Sequence, residues 1–322
     1  MKTIQISEVG GPEVMKVVSL PIPKPKPNEA VVKLKAVGVN YVDIYFREGA
    51  YKSPLPMVLG QEAGGVVTEV GSEVKTVKTG DRVAYRGVHG AYAEYAAVPA
   101  AALIKLPDGI TEEQGAALML QGMTAHYLLY STYPVQPGET VLIHAAAGGV
   151  GLLMVQMAHF IGARVIATVG SEEKAKLARE AGANDVIVYT KTDFEAETKR
   201  LTDNQGVDVV YDSVGKATFD KGLNVLRPRG YMVNFGAASG PPAPLDLGVL
   251  TQKGSLFVTR PSLLHYAAKR EELEERAHAL FAMIKAHRLN LRIAHKYPLD
   301  EAIQAHRDLQ GRKTTGKLLL IP

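Results

Sequence analysis

The stretch that most constrains the fold runs from Gly138 to Gly151, Gly-Glu-Thr-Val-Leu-Ile-His-Ala-Ala-Ala-Gly-Gly-Val-Gly. Thr140 to His144 is a β-branched and aliphatic run that reads as a buried strand. It stops abruptly at small residues, and a helical pattern follows. Strand, tight turn and helix is the order that a dinucleotide fingerprint requires. Set against Gly-x-Gly-x-x-Gly, the first glycine is replaced by Ala146, and the other two are Gly148 and Gly151. Gly148 lets the backbone approach a pyrophosphate, and Gly151 lets the helix lie close on the strand. The free N–H groups at the start of that helix then face the phosphates. Small residues serve any tight turn, so the motif takes its weight from its setting. The helix Val150 to Ile161 leads through Gly162-Ala163 to a second strand, Arg164 to Val169, which completes a βαβ unit.

With 322 residues there is room for two domains, each with its own core. A content of 46% hydrophobic and 22% charged residues excludes a mostly disordered chain. The net charge of +4 suits an anionic ligand without demanding nucleic acid, since the densest basic segment is Pro-Ile-Pro-Lys-Pro-Lys-Pro at 21–27. There is no cysteine, which excludes disulfides, thiolate catalysis and any cysteine-built zinc site. Met1-Lys-Thr-Ile-Gln-Ile-Ser has no signal-peptide character, and no apolar run approaches the ~20 residues of a membrane span. A soluble cytoplasmic protein is expected.

Residues 1–20 read as a strand pair about Gly10-Gly11-Pro12. Short strands then follow at Ala30–Val37, Gly64–Val70, Arg82–Tyr85 and Ala93–Val98. This is a β-rich lobe of barrel type. Helical patterning covers Thr111 to Tyr130, opened by the capping box Thr111-Glu-Glu-Gln. Strands are expected at 140–146, 164–169, 185–189, 207–213, 230–236 and 255–260, with helices between the first five, which implies a parallel doubly wound sheet. An amphipathic helix over Arg270–His287, a strand, a helix over Asp300–Leu309 and a strand over Lys317–Ile321 close the chain.

Taken together, the motifs resemble the medium-chain dehydrogenase/reductase superfamily, and within it the quinone oxidoreductase (zeta-crystallin-like) family, nearly end to end. Gly60-Gln-Glu-Ala-Gly-Gly-Val-Val-Thr-Glu-Val-Gly71 with Gly80-Asp-Arg-Val83 resembles the catalytic-domain signature. Gly138-Glu139 through Ala146-Ala147-Gly148-Gly149-Val150-Gly151 to Gln156 resembles the quinone oxidoreductase signature. The resemblance implies an α/β fold. A GroES-like β-rich catalytic lobe (residues 1–120, completed by 265–322) accompanies a Rossmann domain (121–264), with a cofactor in the cleft between them. Zinc-dependent relatives carry histidine at the position of Gln61 and cysteines elsewhere, so no metal is expected. His126, His144 and His159 read as structural.

The strand Arg164–Val169 ends in Gly170-Ser171 with no carboxylate at its tip, where an NAD site would place one. Glu172 and Glu173 are the acids a helix favours in its first turn, with Ser171 as its N-cap. Lys174 reads equally well as a solvated helix lysine. By resemblance, however, Lys174, Tyr189 and Arg312 form the family's pocket for a 2′-phosphate, so NADPH is the expected cofactor. The resemblance also places Asn40, Tyr45, Thr124, Ser213, Phe235, Gly236 and Val258 along that cofactor, and it makes Asn40, Tyr45, Arg47, Tyr51 and Gln61 candidates for the substrate pocket. Val42, Ile44 and Phe46 read as core. No residue announces itself as an obligatory proton donor.

The activity implied is reduction of a quinone by NADPH. Reduction of an enone or enal on the same scaffold is the alternative, and a cofactor-holding crystallin-like or RNA-binding protein is a third reading. The chain lacks aromatic or arginine-rich RNA-binding motifs. Neither a membrane nor a nucleic-acid partner is expected. A homodimer paired along the strand 255–260 is.

Overall fold

Strands with one open face and strands covered on both faces divide this chain between two kinds of sheet. A computed structural model describes residues Met1–Pro322. It separates them into two compact units, Met1–Met123 with Ala268–His287 and Leu291–Pro322, and Thr124–Ala267 with Arg288–Asn290.

The first unit contains β1 (Lys2–Ile6), β2 (Lys16–Ser19), β3 (Glu29–Val39), β4 (Met57–Val58), β5 (Glu62–Val70), β6 (Arg82–Arg86), β7 (Tyr95–Pro99) and β8 (Ile104–Lys105). The second contains β9 (Thr140–Ile143), β10 (Arg164–Val169), β11 (Asp185–Val188), β12 (Val207–Asp212), β13 (Leu226–Asn234) and β14 (Phe257–Thr259). The chain then returns to the first unit with β15 (Ile293–Pro298) and β16 (Lys317–Ile321).

In the first unit β1 pairs antiparallel with β2 and β4, and a larger sheet runs β15-β16-β3-β5-β6-β8 with β7 also on β3. Midway along β3, Lys33 and Lys35 point outward between buried Val32, Leu34 and Ala36, the period-two pattern of a sheet with one face on a core. That core gathers Ile4, Val32, Leu34, Val67, Tyr85, Tyr92 and Leu318. The register of three neighbouring strands brings distant charges together. β16 sets Leu318 opposite Val39, and β5 sets Ala63 opposite Val37, so Lys317 and Glu62 approach the end of β3 from its two sides.

The six strands of the second unit are all parallel, in the order β11-β10-β9-β12-β13-β14. The order reverses at β9, so the crevice beyond its carboxyl end is where a ligand of a doubly wound sheet binds. β10 is buried from Val165 to Val169, as a strand covered on both faces must be.

Five helices concern the sites: α1 (Tyr41–Arg47), α2 (Glu112–Leu118), α3 (Gln121–Tyr127), α4 (Gly149–Ile161) and α5 (Glu172–Glu180). The capping box Thr111–Gln114 opens α2, with both reciprocal bonds made. The helical patterning expected over Thr111–Tyr130 is divided between α2, α3 and a π turn at Leu128–Thr132. The break has a tertiary cause: the Leu120 N–H is given to the buried Glu62 carboxylate at 2.5 Å rather than to the helix ladder. No helix is long and apolar enough to cross a membrane.

Candidate functional site

In the second unit the turn after β9 is built for close approach. Ala145 takes a positive φ of 52°, the Ala146 N–H is held by Thr168 O at 3.1 Å, and Gly148 becomes the N-cap of α4. A Cβ on Gly151 would lie 2.3 Å from Ala145 O and 2.7 Å from Ala146 Cα, so only glycine lets α4 start this near β9. Gly148 brings no side-chain oxygen to the helix start, and the N–H groups of Gly149 and Val150 in the first turn are left for an anion. Ala147 beside them is buried. This cradle fits a diphosphate. Below it His144 is buried, with Nδ1 at 2.8 Å from Thr168 Oγ1 and its ring edge-on to Phe194. Burial pulls its pKa down to about 4, which keeps it neutral.

Beyond β10, Ser171 caps α5 by accepting from the Lys174 N–H at 3.3 Å, and Glu172 and Glu173 occupy its first turn. Glu172 is turned to Lys191 at 2.9 Å. Tyr189, which follows β11, is 43% exposed, and a Cβ on Gly170 would lie 2.7 Å from its hydroxyl. The ends of β10 and β11 therefore present Gly170, Ser171, Lys174 and Tyr189 together with no carboxylate at the strand tip. Ser213 follows β12, and Phe235 and Gly236 follow β13. Val258 lies on the edge strand β14, and Thr124 is buried in α3.

In the first unit the expected pocket residues separate into two groups. Tyr45 and Tyr51 form an aromatic surface, with ring centroids 5.2 Å apart. Tyr41 lies 5.5 Å from Tyr45, and Phe46 lies 5.5 Å from Tyr51 and 4.6 Å from His89. Tyr51 is 43% exposed, which leaves a face for a flat ligand. Of the three residues read as core, Ile44 is fully buried, whereas Val42 and Phe46 are half-buried.

Asn40 and Arg47 are turned inward rather than toward a cavity. Asn40 Nδ2 donates to Glu62 Oε2 at 2.8 Å, and its Oδ1 accepts from Lys317 Nζ at 2.8 Å and Gln121 Nε2 at 3.1 Å. Lys317 closes the cluster on Glu62 Oε2 at 2.5 Å, both side chains being almost wholly out of water. Gly38 makes room for them, since a Cβ there would sit 2.2 Å from Glu62 Oε2 and 2.7 Å from Lys317 Nζ. Gln61, next in sequence, has a buried Nε2 with no hydrogen-bond partner.

Arg47, fully buried, donates to Gly10 O, His306 Nδ1, Glu48 and Gln310. Its role fixes a direction. A guanidinium cannot accept, so His306 must accept on Nδ1 and carry its proton on Nε2, 2.9 Å from the Tyr92 hydroxyl. That hydroxyl then donates to Asp43 Oδ2 at 3.2 Å, which also accepts the Asn40 N–H at 2.8 Å. Burial with Arg47 at hand pulls His306 down to about 3. Burial lifts Asp43 to about 7, with the Asn40 N–H, Lys317 and Tyr92 pulling the other way. Asp43, Glu62, Tyr92, His306 and Lys317 were absent from the sequence-based site. Their visible traces are the Asn40-x-x-Asp43 spacing of a capped helix and a carboxylate, Glu62, lodged among small residues.

Two family models match the chain. Residues 26–108 match the alcohol dehydrogenase GroES-like domain, and residues 149–282 match the zinc-binding dehydrogenase domain. The quinone oxidoreductase of Pseudomonas aeruginosa is 47% identical over 100% of this chain and 99% of that protein. The crystal structure of Escherichia coli quinone oxidoreductase complexed with NADPH superposes with a TM-score of 0.98, at 46% identity and with 100% of both chains covered. A 2-haloacrylate reductase from a Burkholderia species is 44% identical over 98% of each chain. The second family model is named for zinc, but this chain does not fit that ion. It has no cysteine, Gln61 stands at the expected histidine, and no three His, Asp or Glu side chains gather to hold a metal.

Proposed function

Since the chain belongs to the quinone oxidoreductase family of the medium-chain dehydrogenase/reductase superfamily, we propose that it is an NADPH-dependent quinone reductase that works without zinc. The observation that carries this reading is the pairing of a glycine cradle at the strand-order reversal with a β10 tip that lacks a carboxylate and instead offers Lys174 and Tyr189. Gly148, Gly149 and Val150 hold the diphosphate through backbone N–H groups. Lys174 and Tyr189 take the 2′-phosphate, each charge-assisted bond contributing roughly 1.5–3 kcal/mol. Ser213, Phe235, Gly236, Val258 and Thr124 orient the remainder of the dinucleotide.

When bound, NADPH supplies the hydride. The protein contributes position and exclusion of water. Tyr45 and Tyr51 stack on the flat acceptor, and the unpartnered Gln61 Nε2 offers a hydrogen bond to one of its oxygens. A quinone is already electron-poor, so no metal Lewis acid is needed. Asn40 acts indirectly in this reading, by holding Lys317 and Glu62, the residue next to Gln61.

A cytoplasmic homodimer is part of the same proposal. β14 is the last strand of its sheet, and Phe257 and Val258 on it are 49% and 37% exposed, a free apolar edge suited to pairing. The likeness to a 2-haloacrylate reductase supports a second reading, reduction of an activated carbon–carbon double bond. A steady-state panel of quinones, enones and 2-haloacrylates with NADPH decides between them. Turnover confined to the alkenes would overturn the quinone reading.

A further inference from the structure

The loops after β12 and β13 carry Ser213, Phe235 and Gly236, and a polar relay lying wholly within the second unit holds both. Asp212, fully buried at the end of β12, accepts on Oδ1 from the N–H groups of Val214 at 2.7 Å and Gly215 at 3.0 Å, and from the Thr218 hydroxyl at 2.8 Å. One carboxylate oxygen thus gathers the loop around itself. The other, Oδ2, accepts from Asn234 Nδ2 at 3.2 Å, and the same nitrogen reaches Gly236 O at 3.1 Å.

Asn234 is held in turn by Arg260, the first residue after β14. One Arg260 nitrogen donates to Asn234 Oδ1 and lies 3.2 Å from Asn234 O and 3.1 Å from Gly236 O. Because arginine only donates, Asn234 must present its oxygen to Arg260 and its amide hydrogens to Asp212. The relay therefore has a single arrangement. The two loops are also tied to each other, through Phe235 N–H to Asp212 O at 2.8 Å and Ala238 N–H to Ser213 O at 3.1 Å.

Arg260 sits on an exposed edge, where an arginine would ordinarily be left to solvent. Its three acceptors instead belong to the segment 234–236 that follows β13. We infer that Arg260 is a positioning residue for the nicotinamide half of the cofactor, acting through Asn234 and Gly236 on the loops that carry Ser213 and Phe235. The inference rests on the chain's being an NADPH enzyme. On a doubly wound sheet each mononucleotide half lies over one half of the strands. Lys174 and Tyr189 follow β10 and β11, on one side of the reversal, whereas the relay serves β12 and β13 on the other. Loosening Arg260 should then weaken one half of the ligand and spare the other.

Two ligands test this in the full-length chain: NADPH, and 2′,5′-ADP, which carries the adenosine and 2′-phosphate but no nicotinamide. Arg260→Gln should raise the Kd for NADPH about tenfold, the loss expected for one charged hydrogen bond. It should leave the Kd for 2′,5′-ADP within about twofold. Arg260→Lys keeps the charge without the fork and should recover part of the loss. If Arg260→Gln does not fold, the ratio of the two Kd values in Arg260→Lys carries the same comparison. Unchanged NADPH affinity, or equal weakening of both ligands, would overturn the inference. Wild-type protein that binds neither ligand would overturn the cofactor reading itself, a result separable from any behaviour of the variants.

Discussion

Replacing Lys317 by methionine should cost far more than an ordinary surface substitution. Lys317 Nζ meets Glu62 Oε2 at 2.5 Å and Asn40 Oδ1 at 2.8 Å, with the Glu62 side chain 0% and the Lys317 side chain 3% exposed. Methionine fills a similar volume but leaves the carboxylate facing a thioether. Breaking one partner of a buried pair typically costs about 3–5 kcal/mol. Glu62 would keep two donors, Asn40 Nδ2 at 2.8 Å and the Leu120 N–H at 2.5 Å, which places the expected loss near the lower end, about 3 kcal/mol. For a unit of this size that corresponds to a Tm lower by about 6–12 °C. Adding Glu62→Gln removes the stranded charge while keeping an acceptor for Leu120. The double variant should therefore regain about 1–3 kcal/mol relative to Lys317→Met, as coupled neighbours do. Urea unfolding of the two single variants, the double variant and the wild type closes the cycle. A Lys317→Met protein within about 0.5 kcal/mol of wild type, or strictly additive losses, would refute the reasoning.

Three further outcomes are expected. First, acid should weaken the fold through its buried histidines. His306 and His144 titrate near 3 and 4 in the native state against 6.5 for the free group, so each contribution is intact above pH 6.5 and is lost as pH falls, by about 1.4 kcal/mol per unit. Asp43, raised to about 7, acts in the opposite sense and gains stability as pH falls from 7 toward 3.8. Asp43→Asn should therefore be more stable than wild type at pH 8 and should lose stability more steeply between pH 6.5 and 4, by about 1.4 kcal/mol per unit, in urea titrations at each pH. Parallel pH profiles would contradict this. Second, Lys174→Ala should lower the NADPH over NADH ratio in kcat/KM by at least about tenfold, the worth of one charge-assisted bond. An unchanged ratio would remove Lys174 from the phosphate site. Third, Gly151→Ala drives a methyl to within 2.3 Å of Ala145 O, so the turn must shift. NADPH affinity should then fall by about 5- to 150-fold even where circular dichroism shows the helices intact, a displacement of this kind costing about 1–3 kcal/mol.

The sheet of the second unit was legible because its information is local. The run Thr140–His144, the small-residue turn and the alternation of strand and helix each lie within a few residues, and β10 begins and ends at Arg164 and Val169 as the pattern requires. The terminal strand Lys317–Ile321 was legible for the same reason. What Lys317 does was not, since its partner Glu62 is 255 residues away and periodicity says nothing about which strands become neighbours. Arg47 illustrates the converse. A polar tip on a short helix is expected to face water or a cavity, yet Gly10, His306 and Gln310, supplied by distant segments, draw it fully inside. The break between α2 and α3 has the same origin, a carboxylate from β5 claiming the Leu120 N–H. Asn234 and Arg260 were equally silent, for neither belongs to a motif and their meaning arises only where β13 and β14 end side by side.

The central claim is that the turn after β9 seats a diphosphate and that the β10 side of the sheet accepts a further phosphate. Isothermal titration of the wild-type chain with NADPH and with NADH measures it most directly. The expected result is one NADPH per chain with an affinity at least about tenfold above that for NADH, as one charge-assisted bond to the 2′-phosphate requires. No detectable NADPH binding, or equal affinity for the two, would contradict it.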